Sequence, residues 1–232
     1  MNRPRIPLLY EDNHLLVVEK PVNVPTQGDA SGDPDLLSIL KEDLKTRYKK
    51  PGRVYLGLVH RLDRPVGGVM VFAKTSKAAS RLAEQLRTGG FKKIYLAVVH
   101  GKLENKGRLE HFLAKDKAAN MVQVVSSTDP GGKKAVLDYE VLAEKEGLSL
   151  ILVNLLTGRS HQIRVQFSSS GHPLYGDQKY GASLNKPGQQ IALWSHQIIF
   201  PHPTKKEEMI FASSPPDWAP WNFFNKKWFA SS

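Results

Sequence analysis

Short strand-like runs outnumber helical ones along this chain, and the two kinds do not alternate. "LLYEDNHLLVVEKP" reads as strand, turn, strand, stopped by Pro21. "GVMVFA", "KKIYLAVVHG", "MVQVV", "AVLDYEVLA", "LSLILVNLL", "IALWSHQIIF" and "EEMIFA" read as further strands, and "EKEG" as a hairpin turn. Helical spacing is clear in three places. The first has Asp33 as a candidate N-cap, Pro34 at the first helical position, and Leu36, Leu37, Leu40 and Leu44 on one face. The second is "KAASRLAEQLRT", with Ser76 as its cap and Gly89 closing it. The third, shorter, is "SHQIRVQFSSSG", from Ser160 to Gly171. A doubly wound parallel sheet needs regular strand–helix alternation, which is missing here. The pattern therefore predicts an α+β fold with a mixed, mostly antiparallel central sheet flanked by helices and loops. Asn105 to Ala119 carries no clear pattern. No repeat or linker breaks the chain, so residues 1–232 are expected to form one catalytic unit.

Charge narrows the partners. Thirty-three Lys and Arg stand against 22 Asp and Glu, a net charge of +11. That sign points to a polyanion, either nucleic acid or an anionic membrane surface. The longest apolar run, around "LSLILVNLL", falls far short of the ~18 residues a membrane span needs. The start, "MNRPRIPLLYED", lacks the apolar stretch of a signal peptide. The chain has no cysteine, which excludes disulfides, thiolate metal sites and a cysteine nucleophile. These features lead us to expect a cytoplasmic protein that binds no membrane.

Common catalytic signatures are absent. There is no Gly-x4-Gly-Lys-Ser/Thr loop, no Gly-x-Gly-x-x-Gly, no His-Glu-x-x-His and no Gly-x-Ser-x-Gly. His60, His100 and His161 fall in separate elements without metal-ligand spacing. The chemistry is expected to need neither metal nor cofactor.

What remains is polar residues where a plain core would have none. In "LVHRLDRPVGGVMVFAKT", Asp63 lies between Arg61 and Arg64, ahead of an apolar strand. Tyr95 interrupts the apolar strand "KKIYLAVVHG", and Arg164 sits between Ile163 and Val165 in "LLTGRSHQIRVQF". Taken singly, Asp63 reads as a cap or a structural ion pair, Tyr95 as core and Arg164 as a surface arginine.

Taken together, and in this order, these segments closely resemble the signatures of the RluA-type RNA pseudouridine synthases. "LYEDNHLLVVEKPVNVPTQ" resembles the family's opening segment, and "GHPLYGDQKYG" continues the third signature, so the likeness spans about Leu9 to Gly181. The resemblance implies a catalytic aspartate at Asp63, an active-site tyrosine at Tyr95, a basic partner of the aspartate at Arg164, and a base-displacing arginine at Arg61. It also implies an RNA substrate, ribosomal or transfer RNA, and no cofactor. Arg64, Arg159 and His161 are expected to face the RNA. No separate N-terminal RNA-binding domain is expected, and a monomer is. Two positions depart from the family's usual pattern. Pro65-Val66-Gly67-Gly68 follows the aspartate in place of Thr-Ser-Gly or similar, and Gln166 stands where histidine is frequent. Both bear on substrate preference more than on activity. A non-catalytic RNA-binding protein that kept the fold is the alternative reading.

The chemistry suits the residues. Pseudouridine formation breaks a nitrogen–carbon glycosidic bond, turns the uracil and rejoins it through carbon 5. No redox change occurs and no atoms are added. An ionised carboxylate can attack the sugar or remove a proton from it.

Overall fold

A computed structural model describes residues 5–116 and 118–229. In chain order the elements are β1 (Leu8–Glu11), β2 (Leu15–Lys20), α1 (Leu36–Arg47), β3 (Gly57–Leu58), β4 (Gly67–Ala73), α2 (Ser76–Thr88), β5 (Lys92–His100), β6 (Lys106–Asp116), β7 (Met121–Val125), β8 (Lys133–Lys145), β9 (Leu148–Leu155), α3 (Gln162–Ser169), β10 (Leu193–Pro201) and β11 (Glu208–Ala212). The α+β class and the predominance of antiparallel pairing agree with the sequence reading. No helix among the described residues is long and apolar enough to cross a membrane.

The chain divides into two compact units. The first runs to Lys92 and includes Ser195–Ser213; the second comprises Lys93–Trp194 and the segment from Ser214 onward.

In the first unit, β2 pairs with β1 on one side and β4 on the other, β3 adds to β4, and β11 pairs with β10, all antiparallel. The β1–β2 turn is built by Asp12, whose carboxylate accepts the N–H of His14 and of Leu15, each at 2.7 Å. Leu15, Val17, Val69, Val71, Ala78, Leu82, Phe91 and Phe200 form the core. Full burial of such side chains contributes ~1.5–3 kcal/mol each. Gly68 cannot be replaced without distortion. Its φ is +115°, and a Cβ there would stand 2.2 Å from the carbonyl oxygen of Ser195. Gly68 thus lets the β4 backbone meet that of Ser195 in β10.

Two helix starts differ from expectation. Asp35, not Asp33, caps α1, accepting the Ser38 N–H at 3.0 Å and the Ser38 hydroxyl at 2.7 Å. Asp33 is instead engaged by Arg64. Thr75, not Ser76, caps α2, because its backbone is still extended when its hydroxyl accepts the Ala78 N–H at 3.1 Å. Gly89 ends α2 in the left-handed region, as expected.

In the second unit the strands run β5-β9-β8-β6-β7, each antiparallel to its neighbour. Glu146 and Gly147, both at positive φ, make the two-residue β8–β9 turn that "EKEG" announces. The stretch without pattern is β6, eleven residues long. It escapes a hydrophobicity reading because its open face is charged. Lys106 pairs with Glu140 at 3.2 Å, Arg108 with Asp138 at 2.6 Å and Glu110 with Lys134 at 2.6 Å across the strands. The third helix also starts differently. Ser160 does not cap it; His161 does, at φ +50° and with no side-chain cap bond. Gln162 stabilises the entry instead, its carbonyl oxygen accepting the Arg159 N–H at 3.0 Å and the Thr157 hydroxyl at 2.8 Å.

Candidate active site

Asp63 is half-buried in the loop before β4, with buried Leu62 on one side and exposed Arg64 on the other. The backbone around it is gripped at consecutive carbonyls. Leu62 O accepts the buried Thr26 hydroxyl at 2.8 Å, Asp63 O accepts the Val66 N–H at 3.0 Å, and Arg64 O accepts the Lys20 ammonium at 3.0 Å. The "KPVNVPTQ" segment is therefore the seat of the aspartate loop. The backbone that carries the carboxylate is thereby held in place, which suits a group that must meet a substrate in a fixed geometry.

Lys20 is the residue the sequence reading missed here. It is wholly buried, and its three ammonium protons go to the carbonyls of Pro21 at 2.9 Å, Val24 at 2.7 Å and Arg64 at 3.0 Å. Burial pulls its pKa down to about 7; the Asp63 charge acts in the opposite direction, and Arg64 adds to the lowering. The only sequence hint was a lysine ending an apolar strand just before Pro21.

This depressed pKa makes a prediction for stability. Between about pH 7 and the ordinary 10.5, the unfolded chain holds a proton on Lys20 that the folded chain has given up. The free energy of unfolding therefore rises with pH across that window, by at most ~1.4 kcal/mol per pH unit from this group. Below about pH 7 both states bind the proton and the cost of burying the charge is fully present. In chemical denaturation, the stability of the wild type relative to Lys20→Met should climb from pH 7 to 9. A difference that stays level would contradict the shift.

Of the arginines beside Asp63, Arg61 is exposed. Arg64 is drawn into the preceding loop: it is ion-paired with Asp33, lies 3.8 Å from Asp29, and donates to the Ser31 hydroxyl at 3.0 Å. RNA contact by Arg64 would have to compete with those carboxylates.

Tyr95 and Arg164 belong to the second unit. Tyr95 is 6% exposed in β5, opposite Val153 of β9. Arg164 is buried in α3, and its guanidinium grips Asp177 with Nε to Oδ2 and Nη2 to Oδ1, both at 2.8 Å. Asp177 also accepts the N–H groups of Lys179 at 3.0 Å and Tyr180 at 3.2 Å. The guanidinium carbon lies 5.2 Å from the centre of the Tyr180 ring. Tyr180 in turn bonds His161 Nδ1 at 2.7 Å and accepts the Val122 N–H at 2.9 Å. The planar fork of Arg164 is thus fixed in orientation, and His161 is tied into the same network. Neither Asp177 nor Tyr180 was singled out from the sequence, although "YGDQKYG" contains both. Arg159 is exposed at the turn before α3, its Nε donating to Lys134 O at 2.9 Å. Gln166 is buried, its amide nitrogen reaching Leu109 O at 3.1 Å, Ala135 O at 3.2 Å and His111 Nδ1 at 3.1 Å. It joins α3 to β6 and β8. No group of three or more His, Asp or Glu among the described residues is placed to hold a metal ion.

The family model described as RNA pseudouridylate synthase matches residues 14–169, a stretch that contains Asp63, Tyr95 and Arg164. The chain belongs to the RNA pseudouridylate synthase family. Family membership brings the isomerisation of uridine in RNA with it, and the RluA-type resemblance stands. An uncharacterized RNA pseudouridine synthase of Bacillus subtilis is 37% identical over 90% of this chain and 68% of its own length. The ribosomal large subunit pseudouridine synthase D of Nitrosomonas europaea is 34% identical over 90% of this chain and 62% of its own. Among solved structures, human RNA pseudouridylate synthase domain containing 4 shares the fold, with a TM-score of 0.75 at 24% identity over 90% of this chain and 88% of that one. Asp177, which orients Arg164, lies just beyond the stretch the family model matches.

Proposed function

We propose that this chain converts uridines of ribosomal RNA to pseudouridine, with Asp63 as the group that reacts at the sugar. The observation that carries the residue assignment is the grip on the Asp63 loop. Carbonyls on both sides of the carboxylate are held by buried side chains, Thr26 and Lys20. Preorganisation of that kind is expected of a reacting group and is superfluous for a solvated surface aspartate. Ribosomal RNA is favoured because relatives such as the Nitrosomonas europaea enzyme are named for the large ribosomal subunit.

In this reading Asp63 attacks C1′ or removes a proton from the sugar, and the N1–C1′ bond breaks. The uracil turns, C5 bonds to C1′, and the proton on C5 leaves as N1 regains one. Tyr95 offers a ring for the uracil to stack on, worth ~1–3 kcal/mol per base. Arg164, oriented by Asp177, is assigned the role of basic partner to the reacting aspartate. The target uridine must leave its stack, and Arg61 fills the space it vacates. Arg159 and His161 contact the RNA backbone. In the same reading the chain works as one catalytic domain, as a monomer and in the cytoplasm.

The test is direct. Ribosomal and transfer RNA lacking modification are incubated with the protein and mapped for pseudouridine. Conversion at defined ribosomal positions is expected; conversion confined to transfer RNA, or none, rejects the proposal. Affinity should also fall steeply with salt, since a chain of charge +11 binds mainly through phosphates. A loss of ~10³-fold or more between 50 and 200 mM salt is expected if about six phosphates are engaged.

A further inference from the structure

Two buried or half-buried lysines follow different rules in this protein. Lys20 spends all three of its protons on carbonyls. Lys93, the second residue of β5, is half-buried, and burial lowers its pKa. Yet among the described residues it makes no hydrogen bond and no ion pair. Its ammonium lies against Gly158 in the turn before α3, 3.0 Å from where a Cβ on that glycine would stand. The Gly158 N–H makes no hydrogen bond among the described residues either. The next residue, Arg159, has no carboxylate partner among them. The turn itself is held by Gln162 through the Thr157 hydroxyl and the Arg159 N–H, so Gly158 meets the Lys93 ammonium from a fixed backbone. A desolvated ammonium against a bare glycine, with an arginine next in the chain, lacks one thing, an anion.

We infer that Lys93, Gly158 and Arg159 form a subsite for one phosphodiester of the RNA, adjoining the uridine that stacks on Tyr95. The placement follows from strand geometry. Lys93 and Tyr95 are two residues apart on β5 and so share a face, about 7 Å apart along the strand. That spacing is comparable to the separation of base and phosphate within one nucleotide. Gly158 leaves the room that the ammonium and a phosphate oxygen need. The inference rests on the proposed RNA substrate and adds to it a residue that positions the target nucleotide.

The experiment compares wild type with Lys93→Met in binding structured RNA from 50 to 200 mM salt. The log–log slope should lose about 0.9, the contribution of one phosphate, and affinity at low salt should fall about tenfold. Lys93→Arg keeps the charge and should keep the slope. Single methylphosphonate replacements around the modified uridine should cost the wild type about tenfold at one position. Lys93→Met should be indifferent at that same position. Should Lys93→Met fail to fold, Gly158→Ala, which crowds the ammonium, should give the same position-specific loss. An unchanged slope, or equal methylphosphonate costs in wild type and variant, overturns the subsite. Binding measured in the Asp63→Asn background reads the subsite without turnover. Wild type that binds with the expected slope but converts no uridine would therefore sink the proposed reaction and leave the subsite standing.

Discussion

Asp63→Asn should lower pseudouridine formation by ~10⁴-fold or more while leaving RNA affinity nearly unchanged. Asparagine keeps the shape of the side chain but cannot attack C1′, and it is too weak a base to take a proton from the sugar. The loop should survive the change. Thr26 and Lys20 hold it through the carbonyls of Leu62 and Arg64, and the substitution leaves both contacts in place. One secondary effect is expected. The negative charge of Asp63 raises the pKa of Lys20 against the pull of burial, so its removal should take that pKa below about 7. Single-turnover conversion of a ribosomal RNA fragment measures the first effect, and filter binding the second quantity it must leave intact. A folded variant that retains more than about a hundredth of wild-type turnover would remove Asp63 from the chemistry.

What the sequence disclosed, and what it hid, follows from the range of the interactions involved. Tyr95 and Arg164 stood out because each is a polar residue in an apolar run, and Asp63 because it lies between two arginines ahead of an apolar strand; all three are local signals. The residues that hold them are remote. Lys20 anchors Arg64 across 44 positions of chain, and nothing near Lys20 marks it as wholly buried. Asp177 reaches Arg164 from a loop 13 positions on, among polar residues that look solvated. The strand β6 was hidden for the opposite reason: its charges are satisfied by β8, a partner periodicity cannot name. Helix caps moved by one or two residues where rival cap residues adjoin, as in Asp33-Pro34-Asp35 and Thr75-Ser76. The α+β class and a mostly antiparallel sheet, by contrast, needed only local patterns and turn residues.

The Arg164–Asp177 pair separates stability from catalysis. Both side chains are buried, at 8% and 0% exposure, and joined by two bonds of 2.8 Å. Asp177→Ala breaks a buried ion pair by removing one partner and should cost ~3–5 kcal/mol of unfolding free energy. It also removes the acceptor for the N–H groups of Lys179 and Tyr180. Removing both charges is gentler. In Arg164→Met combined with Asp177→Asn, the amide oxygen still accepts those two N–H groups and both charges of the pair are gone. The double variant should recover most of the lost stability, since a buried pair replaced as a unit is often close to neutral. Turnover should not recover. If Arg164 is the basic partner that the reaction at Asp63 requires, a stable protein without it stays slow at the first step, and the RNA keeps unmodified uridine. Arg164→Lys preserves charge without the planar fork and should restore only part of the rate. Chemical denaturation and product analysis on the same three proteins decide between the roles. A double variant that is stable and fully active would mean that the pair only builds the fold around "YGDQKYG", and that the cation serving Asp63 has to be sought elsewhere, with Lys20 first in line.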